Sequence, residues 1–214
     1  MRATQTLGRL ELQVGLRLTW LRDMAAAALA MRPPKQIDLA FVCVDAANTW
    51  TEFSRALIVS AVQGSQTTRG VLSRAAPPHL GRVPESIDAV LRQRNPRLLP
   101  MPPGGWPRRE EPKWGSKDVL LAAATTLGIS NLASVDAALS AGSRVLDDLP
   151  VVRNYYSHRN FGTERAVWNC LYQRGFPRGP HPDWYLHQTY GAIRQPLVND
   201  WLDDLQLIVS LACQ

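Results

Sequence analysis

Lysine is scarce in this 214-residue chain: of 24 basic residues only Lys35, Lys113 and Lys117 are Lys, and the other 21 are Arg. Cysteine is scarcer than a disulfide framework needs. Cys43, Cys170 and Cys213 are odd in number and lack metal-ligand spacing, which argues for buried thiols in a reducing compartment. Long apolar runs are also missing. Ala25–Met31 follows Asp23 and is too short to span a bilayer, and the first residues lack the basic-then-apolar layout of a signal peptide. A cytoplasmic chain with no membrane role is expected. There is no Gly-rich phosphate loop, HExxH or GxSxG, which disfavours P-loop nucleotide hydrolysis, zinc hydrolysis and serine hydrolysis. No β-rich segment or internal repeat stands out.

What is present is the mixture of a soluble globular protein, 45% hydrophobic and 20% charged, with enough length for one sizeable core. A single domain over residues 1–214 is expected. The net charge of +6, carried by arginine, favours a polyanionic partner because guanidinium forks bind phosphate in a bidentate way. A coding bias toward Arg accounts for the excess equally well, so charge permits such a partner without selecting it.

Helical periodicity dominates the chain. Leu10, Leu12, Val14, Leu16, Leu18 and Trp20 alternate as a strand would, but Leu7, Leu10, Val14, Leu18 and Leu21 also form a helical stripe, and the Ala-rich continuation favours a helix in an N-terminal segment, 1–34, that Pro33-Pro34 ends. From Gln36 to Gly64 no Gly or Pro interrupts, and Ile37, Phe41, Val44, Asn48, Phe53, Leu57 and Ser60 fall near a helical repeat. Residues 75–116 hold nine of the sixteen prolines together with Arg92, Arg94, Arg97, Arg108 and Arg109. This insertion reads as irregular loop around a short helix from about Pro84 to Gln93, either solvated or serving as a basic arm for a phosphate backbone. A helix starting at Ser116 or Lys117 is stopped by Gly128. Leu132, Val135, Leu139, Gly142, Leu146 and Leu149 then continue as one seam into Pro150, a residue suited to the first turn of a helix. Thr163 is a candidate cap for a helix running to Gly175, and Pro196 opens a last helix striped by Leu197, Trp201, Leu205, Ile208 and Ala212. The fold class is all-α.

The densest chemistry follows Pro150, in Val151-Val152-Arg153-Asn154-Tyr155-Tyr156-Ser157-His158-Arg159-Asn160. Asn154 and His158 are four apart and share a helix face, so the amide can orient the imidazole. Arg153 and His158 are five apart, about 140° around the cylinder. The Arg must reach back along its stem or meet a His from another chain. A cation beside a proton-transfer group is what phosphodiester cleavage requires. The competing reading is a surface helix whose His sits at a helix end among ordinary exposed charges. His79 and His181 lie among prolines in loops, and His187 is the one other histidine with a claim to a role.

Arg153-Asn154-Tyr155-Tyr156-Ser157-His158 resembles the marker of HEPN domains (higher eukaryotes and prokaryotes nucleotide-binding), in which an Arg and a polar residue precede a His by four to six positions. The lead-in Asp147-Asp148-Leu149, Pro112-Lys113-Trp114 and the stretch from Asn48 to Arg55 look similar to an uncharacterised bacterial branch of that family. The likeness is close over 145–160, within motif-bearing helices at 131–160, and loose over 40–210. It implies an HEPN-like helical bundle with the Pro-rich basic segment as an insertion loop. It also implies a metal-independent endoribonuclease of toxin or phage-defence type that needs no cofactor. Such proteins act on RNA as homodimers whose two motifs meet at the interface, often under an antitoxin or sensor protein. By position, Arg153 would stabilise transition-state charge, His158 would serve as general acid or base, and Asn154 would hold the imidazole or contact phosphate. Arg159, Tyr155, Tyr156 and Arg55 would contact substrate. Products would carry 2′,3′-cyclic phosphate. Asn160 replaces the Tyr found two residues after the His in one variant, which argues against adenylylation there. The alternative within the same resemblance is a non-catalytic module binding nucleotide, RNA or a partner protein.

Overall fold

In the computed structural model, residues 6–141, 143–189 and 195–214 are described, with the Pro78 side chain left aside. The architecture is all-α. Among the described residues nine helices form: α1 (Leu7–Ala30), α2 (Gln36–Gln63), α3 (Val83–Arg94), α4 (Lys117–Leu127), α5 (Leu132–Leu139), α6 (Val145–His158), α7 (Phe161–Tyr172), α8 (Pro182–Leu186) and α9 (Leu197–Ala212). The only sheet among them is a two-stranded antiparallel ribbon, β1 (Ser65–Gln66) with β2 (Leu72–Ser73). No described helix is long and apolar enough to cross a membrane.

The chain divides into two compact units, each assembled from separated stretches of chain. The first comprises residues up to Val14, Thr51–Gly142 and Ile208–Gln214; the second comprises Gly15–Trp50 and Ser143–Leu207.

In the first unit the Pro/Arg-rich segment is pinned rather than loose. Arg55 binds Glu111 through Nε and Nη2 at 2.5 and 2.7 Å, and Trp114 Nε1 donates to the same carboxylate at 2.9 Å. Arg108 pairs with Glu52 at 2.6 Å. Arg92 pairs with Asp88 at 2.7 Å and donates to the Leu98 and Leu99 carbonyls. Arg92 and Arg108, two of the five arginines that suggest a basic arm, are therefore neutralised by carboxylates. At the start of α4, a Cβ on Gly115 would fall 2.7 Å from Thr51 Oγ1, so glycine is needed for this close approach. Gly128 ends α4 at φ 55°, in the left-handed region that glycine adopts without cost.

In the second unit α1 and α9 are striped as the periodicity predicts, with Leu18, Leu21 and Ala25 of α1 and Leu197, Trp201, Leu202 and Leu205 of α9 buried. In α2 the expected stripe is corrected: Ile37, Phe41 and Asn48 are exposed, and Leu39, Val42 and Ala46 are buried instead. Three further sequence expectations are corrected. The seam from Leu132 to Leu149 is not one helix: α5 stops at Leu139 and α6 starts at Val145. Ser143 Oγ accepts from the Val145 amide at 3.1 Å, a local bond that competes with helix continuation. Gly142, assigned to that seam, lies outside the described residues. Pro150 sits inside α6 rather than in its first turn, where it removes one backbone hydrogen bond. Finally, Asn160 rather than Thr163 caps α7, with Thr163 completing a capping box: Asn160 Oδ1 accepts from the Thr163 amide at 3.0 Å and Thr163 Oγ1 accepts from the Asn160 amide at 3.2 Å.

Candidate functional site

α6 has two faces. Val145, Leu146, Asp148, Leu149, Val152 and Tyr155 are buried, whereas Arg153, Asn154, Ser157 and His158 are exposed together on the outer face. The separation follows the 3.6-residue period, which turns 152 and 155 inward and leaves 153, 154, 157 and 158 outward. Among the described residues, the side chains of Arg153, Asn154 and His158 form no hydrogen bond or ion pair. All three are thus available to a ligand.

Their platform is held from beneath by a buried acid. Asp148 is wholly inaccessible and accepts hydrogen bonds from Arg174 Nε, from Trp201 Nε1 at 3.3 Å and from the Cys170 thiol at 2.9 Å. Arg174, its side chain 10% exposed, also pairs with Asp200 at 3.1 Å. Burial and the neighbouring Asp148 charge push the Cys170 thiol well above its ordinary pKa, so it acts as a donor and not a nucleophile. Both carboxylate oxygens of Asp148 face donors, which offsets the cost of burying the group.

The two tyrosines are committed as well. Tyr156 donates to Asp183 Oδ1 at 2.8 Å, and Tyr155 Oη lies 3.0 Å from His181 Nε2. Burial first, then the neighbouring Asp183 carboxylate and its hydrogen bond, drive the Tyr156 pKa far upward and keep the phenol protonated. His181 Nδ1 stands 3.4 Å from the Asp183 amide nitrogen and 3.3 Å from its carboxylate, so the ring is gripped in either protonation state. These contacts fix the last turn of α6 to the start of α8. Sequence reading left His181 in a loop, because its partners are 26 residues upstream and carry no local signature.

Arg159 follows His158 at φ 39°, a left-handed C-cap, with its guanidinium 5.7 Å from the centre of the Tyr156 ring. The chain then turns directly into the capped N-terminus of α7. The first amides of a helix lack intrahelical partners and favour negative charge, as do Arg153 and Arg159. His158 and Arg159 thus stand at the turn into α7, while Arg153 lies more than one helical turn earlier on α6. Arg55, expected to contact substrate, belongs to the first unit and has its guanidinium occupied by Glu111. Among the described residues no group of three or more His, Cys, Asp or Glu is placed to hold a metal ion. Comparison with protein-family models, with curated proteins and with solved structures finds no match for this chain.

Proposed function

We propose that the chain is a metal-independent endoribonuclease of the HEPN type, acting in toxin or phage-defence systems as a homodimer on RNA. The observation that carries the reading is the exposed, unpartnered set Arg153, Asn154 and His158 at the end of a helix whose other face is locked by Asp148. A structural surface helix has no need to pair such an elaborate anchor with three unengaged polar groups of complementary chemistry. The resemblance of Arg153-Asn154-Tyr155-Tyr156-Ser157-His158 to the HEPN marker supports the same reading.

In this chemistry the ribose 2′-oxygen bonds to phosphorus as its proton passes to a base, and the P–O5′ bond breaks as an acid protonates the leaving oxygen. His158 serves at one of these two proton positions, and an imidazole is suited to either near neutral pH. Arg153 stabilises the charge that develops on the non-bridging oxygens. Asn154, one helical turn before His158, orients the ring or binds phosphate. Because Arg153 and His158 diverge by about 140° on one helix, two copies meeting at this face let the Arg of one approach the His of the other. Single-turnover incubation of purified protein with mixed RNA in EDTA tests the reading. Wild type should cut, His158→Ala and Arg153→Ala should each lose about 10²-fold or more, and circular dichroism should show both variants folded. Equal cleavage by His158→Ala would defeat it.

A non-catalytic RNA- or partner-binding module is the second reading. Its support is that Arg153 and His158 are not joined by any hydrogen bond within the described chain.

A further inference from the structure

Beyond the α6 corner, the outer face of α7 carries an unusual ladder. Phe161, Arg165, Trp168 and Tyr172 are spaced four, three and four apart, so they stack on one helical face over about 16 Å. Phe161 is 68% exposed and Tyr172 54% exposed, large for aromatic side chains beside a packed core. Their geometry is set rather than loose. Trp168 donates its indole N–H to the Pro180 carbonyl at 2.7 Å, the Phe161 ring stands edge-on to it at 6.3 Å, and the Arg178 guanidinium lies 4.2 Å above Tyr172.

The charge on the ladder's own face is positive. Elsewhere in the same unit Arg17 pairs with Asp45, Arg22 with Asp203 and Arg174 with Asp148 and Asp200, while Arg32 and Arg144 donate to uncharged oxygens. Arg153, Arg159, Arg165 and Arg178 have no carboxylate partner among the described residues. The acids nearby are Glu164 on the flank of α7 and Asp183, which is already engaged by Tyr156 and His181. Alternating aromatic faces and unpaired guanidinium groups are the components of a single-strand track: bases stack on the rings while the cations follow the phosphates. An apolar protein partner has no use for the arginines, and a duplex offers no free base faces.

We propose that this α7 face is a base-stacking track for single-stranded RNA, leading the strand from Tyr172 to the α6 corner. The inference rests on the ribonuclease reading for its direction but not for its test. At stacked rise the ladder holds about four or five nucleotides. Phe161 is the base platform next to the cleavage corner, and Tyr172 with Arg178 is the distal one.

The test is fluorescence anisotropy of a labelled 12-nucleotide RNA with 2′-O-methyl riboses, which cannot be cut by 2′-hydroxyl attack, beside the same sequence as a duplex. Phe161→Leu and Tyr172→Leu should each weaken single-strand binding about 5- to 100-fold, whereas Phe161→Tyr should retain it, because stacking and not greasiness is required. Arg165→Gln with Arg178→Gln should lower the magnitude of the log–log salt slope by about one to two. Duplex should bind more weakly than the single strand. Binding unchanged by both leucine variants would overturn the track while leaving cleavage to its own assay. So would a wild-type protein that binds no single strand, or an oligomeric state that shifts in Phe161→Leu with strand affinity intact.

Discussion

Asp148 has no exposed surface, yet it faces Arg174, Trp201 and Cys170 and so fastens α6 to α7 and α9. Replacing it with Ala leaves the nearly buried Arg174 with Asp200 as its remaining carboxylate and removes the acceptor of Trp201 and Cys170, and the cost should be about 3–5 kcal/mol in urea-monitored unfolding. Asp148→Asn keeps an acceptor and should cost less. Glu111 offers a pH-dependent counterpart. Burial opposes its ionisation, but hydrogen bonds from Arg55 and Trp114 together with the Arg55 charge prevail and hold its pKa below the ordinary carboxylate value. The folded pKa lies under the unfolded one, so this stabilisation is complete above the unfolded value and disappears as pH falls through the folded one. Glu111→Gln should therefore cost about 2 kcal/mol near pH 7 and flatten the acid limb of a stability–pH curve. At this scale the sequence shows Arg153, Asn154 and His158 plainly, since their chemistry and spacing are local. It does not show that Asp148, quoted only as part of a lead-in, is the anchor, because its partners lie 22 to 53 residues away.

The junction between α6 and α7 is where local structure and site coincide. Arg159 holds a left-handed conformation that costs a non-glycine residue about 1–2 kcal/mol. Arg159→Gly should raise thermal stability while weakening RNA binding, so that fold and function move in opposite directions in one variant. Asn160→Ala removes the capping box and should cost about 1 kcal/mol, with Asn160→Asp recovering most of it. Helix limits set by Pro33-Pro34, Gly128 and Pro196 were readable because proline and glycine act on the backbone directly. The gap between α5 and α6 was not, since apolar spacing continues in register across it and the serine hydroxyl bond at the start of α6 carries no periodic signal. In the Pro-rich segment the arginines signal charge, while the carboxylates that pair with Arg92 and Arg108, Asp88 and Glu52, stand on α3 and α2.

For the whole molecule, the composite-site claim predicts rescue between inactive proteins. A dimer of Arg153→Ala with His158→Ala keeps one intact pair when each site takes its Arg and His from different copies. Mixing and re-equilibrating the two should thus restore about a quarter of wild-type cleavage, and a mixture as inactive as its parts would place both groups on one chain. The chemistry itself is read most directly from the ends of the RNA fragments produced in EDTA. The account predicts 2′,3′-cyclic phosphate and 5′-hydroxyl ends from wild type and no fragments from His158→Ala. Fragments bearing 3′-hydroxyl and 5′-phosphate ends, or equal yields from both proteins, would contradict it.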